Sequence, residues 1–367
     1  MRIKQINRIN SILIFVFLIL GVMYIGASFL IPITFAIFLA TLILPVTNFL
    51  EHKFNIGRMT SSFISTLIIF IGVGLIFFLL IHQIGVLLND LVDKRNQILQ
   101  FVQVIQENLA TVFDISLDQQ KQMAQDNLLS GINFLQSYLT NILSNIIGII
   151  LNFLLILIYL FLLLLNRKKF NDFIMMYTAD EKKKKNTEIL EETEKVANYY
   201  LWGRIKVMTI LAIMYLILFS AYGLEHMGLL VVFGAIITII PYIGPFFSGF
   251  LPVLFMIIFD HSYVDVISFA VIILIIQLIE SYVLEPLIIG SEVKQNPLFI
   301  IIGVILGGMV WGMAGLILFV PLFSILKIIF DNTQELKPVG FLMGYESSGE
   351  KDGIIKKIKK KFKKNID

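Results

Sequence analysis

The chain has 367 residues, 57% of them hydrophobic and only 15% charged, against roughly 25% charged in an ordinary soluble domain. A soluble fold this apolar would need a core larger than chains of this length build, so soluble enzyme classes are excluded and the expected solvent is a bilayer. The net charge of +3 decides nothing as a total, and the lack of cysteine excludes disulfides, thiolate nucleophiles, iron–sulfur clusters and Cys-type zinc sites.

A hydrocarbon core about 30 Å thick asks for roughly 20 apolar residues per helix. Ser11–Leu30, Ile33–Leu50 and Ser61–Ile81 meet that requirement first. The first follows Arg2, Lys4 and Arg8, as a signal peptide would, but its apolar run is too long for one. It is expected to be a retained helix, with Pro32 opening the second arm of a tight hairpin. Over 83–145, Ile84, Leu87, Leu88 and Leu91, then Ile98, Leu99, Val102, Ile105 and Leu109, recur at helical spacing. That pattern predicts an amphipathic helical insertion outside the membrane, ending near Gly131. Its apolar face packs within the chain, on the membrane helices or on a neighbouring subunit. Two further spans, Ile146–Leu165 and Val207–Gly223, flank a cytoplasmic loop whose segment 181–198 reads as a charged helix leading into Trp202. A sixth span, Val264–Val283, is apolar until Gln277 and Glu280.

Basic residues set the sides of the membrane. Three precede the first span, two lie in 51–60, ten in 166–206 and ten in 327–367; segment 83–145 carries three against six acids. The N-terminus, the 51–60 turn, the 166–206 loop and the C-terminus are therefore expected in the cytoplasm, and 83–145 outside.

Two stretches are too long. Leu229–Phe259 and Leu298–Leu326 would each measure about 45 Å as unbroken helix at 1.5 Å per residue. Each is interrupted near its middle, the first by Pro241-Tyr242-Ile243-Gly244-Pro245 and the second by Gly307-Gly308-Met309-Val310-Trp311-Gly312-Met313-Ala314-Gly315. Proline removes a backbone donor, and repeated glycine weakens a helix. Either a kinked crossing or a re-entrant hairpin satisfies the side count. Loop charge favours hairpins, because it leaves Asp260, His261 and Asp265 outside and Lys294 inside. Backbone freed at membrane depth must be buried in protein or line a cavity, and paired breaks point to a transport site.

Polar residues deep in the spans are few. Gln277 and Glu280 are three apart and Ser281 and Glu285 four apart, close pairs on a helix surface. An ionisable residue inside the membrane marks a cation or proton site; at the interface Glu280 and Glu285 would simply be hydrated. Tyr242 and Trp311 sit inside the breaks, facing a substrate or filling the gap. Pro286, Gly290, Asn296 and Pro297 shape the approach to the second break. The basic tail, Ile354 to Lys364, either lies on the anionic inner leaflet or stays in solvent. The sequence holds no phosphate-loop, HExxH or GxSxG motif, and its four histidines are scattered.

Ile240-Pro241-Tyr242-Ile243-Gly244-Pro245-Phe246, Leu284-Glu285-Pro286-Leu287-Ile288-Ile289-Gly290, Asn296-Pro297-Leu298 and the Gly307–Gly315 run followed by Val320-Pro321-Leu322 resemble, in order, the signature blocks of the AI-2E family of transporters, the autoinducer-2 exporter or PerM-like permeases. The resemblance implies a membrane permease, not an enzyme, working without a cofactor or a metal. Members are associated with autoinducer-2 export, others with sodium or lithium–proton antiport.

The expected fold is an all-α polytopic membrane protein with about eight membrane segments and both termini cytoplasmic. It comprises membrane helices over 1–82, the insertion over 83–145, a fourth span and basic loop over 146–206, a transport core over 207–330 and a basic tail over 331–367. The expected pathway residues are Pro241, Tyr242, Gly244, Pro245, Gln277, Glu280, Glu285, Pro286, Gly307, Gly308, Trp311, Gly312 and Gly315. The expected partners are the bilayer and a small polar solute, or a monovalent cation or proton, with room for a homo-oligomer and none for nucleic acid. A sodium or lithium–proton antiporter on the same scaffold, and a non-transporting scaffold that binds a partner through 83–145, are the alternatives.

Overall fold

The computed structural model describes residues 2–93, 137, 139–176, 183–258, 262–289 and 295–344. Most of the outer insertion, the basic tail, and Gly290, Asp260, His261 and Lys294 lie outside the described residues. The helices are α1 (Arg2–Ile25), α2 (Ala27–Phe54), α3 (Arg58–Asp93), α4 (Ile146–Met176), α5 (Lys183–Ala221), α6 (Met227–Ile237), α7 (Ile243–Ile258), α8 (Tyr263–Ile279), a π-helical segment (Glu280–Ile289), α9 (Pro297–Asn332) and α10 (Lys337–Met343). Among the described residues there is no strand, only an isolated pairing of Gln295 with Gly344.

Among the described residues, six helices are long and apolar enough to cross a membrane. Their outer faces expose Phe63, Phe78, Leu151 and Ile217, which suits hydrocarbon as solvent. The fold is that of an all-α, polytopic membrane protein. The break between α1 and α2 falls at Gly26, not at Pro32, and no tight hairpin forms there. Helical hydrogen bonds continue across the bend, from Gly26 N to Val22 O and from Leu30 N to Gly26 O, both 2.8 Å. A Cβ on Gly26 would stand 2.9 Å from Val22 O, so glycine fits the bend. Pro32 and Pro45 lie within α2, as prolines in membrane helices can.

Both over-long stretches reverse direction. Straight, the 36 residues of α9 would span about 54 Å. Instead the backbone turns at Gly312 (φ 57°, ψ −135°). Gly307 and Gly315 then meet backbone to backbone, and a Cβ on Gly303 would stand 3.4 Å from the ring of Phe323. The hairpin closes at its base, where Asn296 N donates to Met343 O at 2.9 Å. In the first stretch α6 and α7 are antiparallel arms, with a Cβ on Gly234 placed 3.8 Å from that of Ser248.

The core is organised around α5. Val207, Leu211, Tyr215 and Phe219 recur every four residues and are fully buried, a stripe on one helical face. That stripe packs with residues of α6, α7, α8, the π segment and α9. A second cluster joins Ala36 and Ile43 of α2 to Leu157, Leu160 and Leu164 of α4. Polar links tie the outer helices together: Thr47 donates to Ser65 at 2.7 Å, Arg167 pairs with Glu51 at 2.5 Å, and Trp202 donates to Leu42 O at 3.0 Å. Near the end of α3, Ile84 and Leu87 join the main core.

Candidate functional site

The tip of the first hairpin is built by its punctuating residues. After Ile237 two tight turns follow, with Ile239 N bonded to Ile236 O at 3.0 Å and Ile240 N to Ile237 O at 3.1 Å. Tyr242 then takes a left-handed conformation (φ 64°), costly for a residue with a Cβ. Gly244 allows the arms to close: its Cβ would strike Ile237 O and stand 2.5 Å from Thr238 Cα. Pro245 sits in the first turn of α7, where a missing backbone donor costs nothing.

The Pro245 carbonyl is not left bare. Gln277 of α8 donates its amide to it at 2.6 Å, and Ser248 Oγ donates at 3.1 Å. The Gln277 amide occupies the space a side chain at position 249 would need, so Gly249 makes room for this latch. Ser248 also accepts from Tyr215 Oη of α5 at 3.2 Å, deep in the core.

Just beyond Gln277 the helix changes type. Glu280–Ile289 is π-helical and contains Pro286. Proline in an α-helix clashes with the carbonyl four residues back, and the wider π turn accommodates it. Of the Ser281–Glu285 pair, Ser281 is exposed and Glu285 pairs with Arg204 of α5. Gly203 admits this approach, since a Cβ there would stand 3.1 Å from Ile289 Cγ1 and 3.5 Å from Ile289 Cα.

Glu280 is fully buried, and neither carboxyl oxygen has a hydrogen-bond partner. It lies within electrostatic range of Arg204, Glu285 and Tyr215. Arg204 is itself 4% exposed, with Tyr200 beside its guanidinium and its Nε unpartnered. Tyr242, at 55% exposure, carries its hydroxyl within electrostatic range of Glu285. Pro241, Tyr242, Gly244, Pro245, Gln277, Glu280, Glu285 and Pro286 thus gather where the first hairpin, α8, the π segment and α5 converge.

The other five predicted residues lie elsewhere. Gly307, Gly308, Trp311, Gly312 and Gly315 form the tip of the second hairpin, which packs on α1 and α2. Trp311 Nε1 donates to Met23 O at 2.8 Å, and its ring meets Phe319 edge-on at 5.5 Å. At 7% exposure Trp311 fills the turn. Among the described residues the two hairpins do not pack on each other; α5 packs on both. Arg204, Tyr200, Tyr215 and Ser248 were not singled out from sequence. The available signal was an arginine set beside a glycine directly at the start of an apolar run.

An all-helical, multi-pass chain with two broken hairpins and a buried polar cluster at the tip of one defines a membrane transport protein, not an enzyme. The sequence profile of the AI-2E family transporters matches residues 12–335, and the chain belongs to that family. It is similar to YrrI of Bacillus subtilis strain 168, provisionally named a transport protein, at 26% identity over 305 residues (82% of this chain, 85% of that one). It is also similar to YueF of the same strain, named in the same way, at 24% identity over 82% of this chain and 87% of that one. The AI-2 transport protein TqsA of Escherichia coli K12 is 24% identical over 324 residues, covering 87% of this chain and 90% of that one.

Proposed function

We propose that this protein is a permease of the cell membrane that exports a small polar solute resembling autoinducer-2, along a path that passes the first hairpin tip. One observation carries the reading: a broken apolar hairpin carries a Pro245 carbonyl latched by Gln277 and a Tyr242 within electrostatic range of Glu285, the partner of Arg204. Polar groups in such a setting need partners, and a hydroxylated solute can exchange hydrogen bonds with them. The likeness to TqsA supports an autoinducer-2-like cargo. The second hairpin also packs on α5.

Reconstituted liposomes loaded with autoinducer-2 test this. Efflux above that of empty vesicles, reduced at least tenfold in Gln277→Leu, is the expected result. A sodium- or lithium-dependent internal pH change without solute efflux would favour antiport instead, a reading supported by the unpartnered carboxyl of Glu280. Neither signal from folded protein would leave the partner-binding scaffold.

A further inference from the structure

The carboxyl group of Glu280 is a charge-capable group for which the fold supplies no hydrogen bond. It is 0% exposed and both oxygens are bare. A carboxyl in such surroundings carries a proton, holds a cation or takes a counter-ion. The nearest cation is the guanidinium of Arg204, and it is engaged with Glu285. Only part of that guanidinium is used, because its Nε is buried with no acceptor. The side chain of Glu285 is 38% exposed, so water can serve it if Arg204 leaves. Glu280 and Glu285 stand at the start and middle of the same π segment, whose hydrogen bonding is the least regular in the core.

We propose that Glu280 is an exchangeable proton site, and that Arg204 is its displaceable counter-ion, moving from Glu285 to Glu280 when the proton leaves. This rests on the permease reading above and adds the coupling ion to it. The step balances. Protonated Glu280 loses H⁺ to become a carboxylate, Arg204 exchanges one carboxylate for the other, and the freed Glu285 carboxylate is taken up by water. A metal cation is disfavoured by the positive charge of Arg204 next door.

The groups facing Glu280 are few. From α5 they are Arg204 and Tyr215, with Tyr200 behind Arg204; from the π segment, Glu285; from the hairpin tip, Tyr242 by way of Glu285. Arm α7 contributes no titratable side chain. Tyr215 is already bonded to Ser248, and Arg204 is the one cation acting on Glu280 among the described residues.

Infrared difference spectroscopy of the purified full-length protein across a pH titration reads this directly, with no transported solute needed. The wild type should show a protonated-carboxyl band that vanishes as pH rises, absent in Glu280→Gln and shifted in frequency in Glu280→Asp. In Glu285→Gln, where Arg204 has lost its other partner, the band should be missing at a pH where the wild type retains it. A band unchanged in Glu280→Gln overturns the proton site. Loss of the Glu280 band with an unaltered titration in Glu285→Gln overturns the role of Arg204. If instead sodium raises the melting temperature of the wild type but not of Glu280→Gln, and no acid band appears, the site holds a cation and the proposal fails. An intact acid band with no flux of any solute would sink the permease reading alone.

Discussion

A disulfide across the first hairpin tests the reversal itself, and the lack of native cysteine makes the test clean. Gly234 and Ser248 are 14 positions apart, which in a straight helix would separate them by about 21 Å. In the fold, a Cβ on Gly234 lies 3.8 Å from the Cβ of Ser248, inside the range of about 3.5–4.5 Å that a disulfide requires. Tyr215 is the nearest obstacle, with its ring 3.4 Å from that Cβ, an ordinary contact. The double variant Gly234→Cys/Ser248→Cys should therefore lose both free thiols on mild oxidation, counted by mass after alkylation in denaturant. Closing a loop of about 15 residues is worth up to about 3 kcal/mol. Ser248→Cys removes the Tyr215–Ser248 bond in both redox forms, so that loss cancels and the oxidised form should melt higher than the reduced form. Two reactive thiols in the oxidised, folded protein would refute the hairpin and every argument built on its tip.

The second hairpin makes its own predictions. Gly315→Ala forces a Cβ into Gly307 O, and such overpacking should destabilise by about 1–3 kcal/mol, seen as a lower melting temperature in detergent. Gly312→Ala has open space around it, so any loss there reports the backbone conformation alone, again about 1–3 kcal/mol; an unchanged melting temperature would argue against a turn at this residue. Trp311→Phe removes the bond to Met23 O and should cost about 1 kcal/mol, with faster proteolysis near Gly26 as α1 loosens. Gln277→Leu strips one donor from the Pro245 carbonyl; a small stability loss of about 1 kcal/mol together with a large flux loss is expected, and the reverse ordering would make the latch purely structural.

Membrane placement was legible in the sequence because twenty apolar residues leave few other fates. The breaks were legible too, since Pro241, Gly244 and the run Gly307–Gly315 sit in the middle of stretches too long for one crossing and weaken a helix there. Their consequence was legible only through loop charge, which favoured hairpins, the form both stretches take. A kink and a reversal use the same residues, and what separates them is which backbone each glycine touches, such as Gly315 against Gly307, eight positions away. Pro32 misled for the same reason, because Gly26 absorbs the bend before the proline is reached. Arg204 was counted among the charges that set topology, although its partner Glu285 lies 81 positions on. No sequence period announces a π segment, so Ser281 and Glu285 were paired by α-helical spacing that the chain abandons at Glu280. Trp311 left two options open, and in the fold it bonds to Met23 and packs on Phe319.

The two hairpins were expected to converge, and the fold instead gives them a helix in common. On α5, Leu201 joins Trp311, Leu318 and Phe319 at the second hairpin. Two and three residues later, Gly203 and Arg204 receive Ile289 and Glu285. Less than one turn of rigid helix therefore touches both systems. A helix so tightly packed along Val207, Leu211, Tyr215 and Phe219 moves as a body and does not bend locally. The Arg204–Glu285 pair and the Ile289 contact at Gly203 stand within one helical turn of Leu201, which packs against the turn held by Trp311. Direct contact between the hairpins would tie each to the other's packing; instead both lean on α5 and neither packs on the other among the described residues.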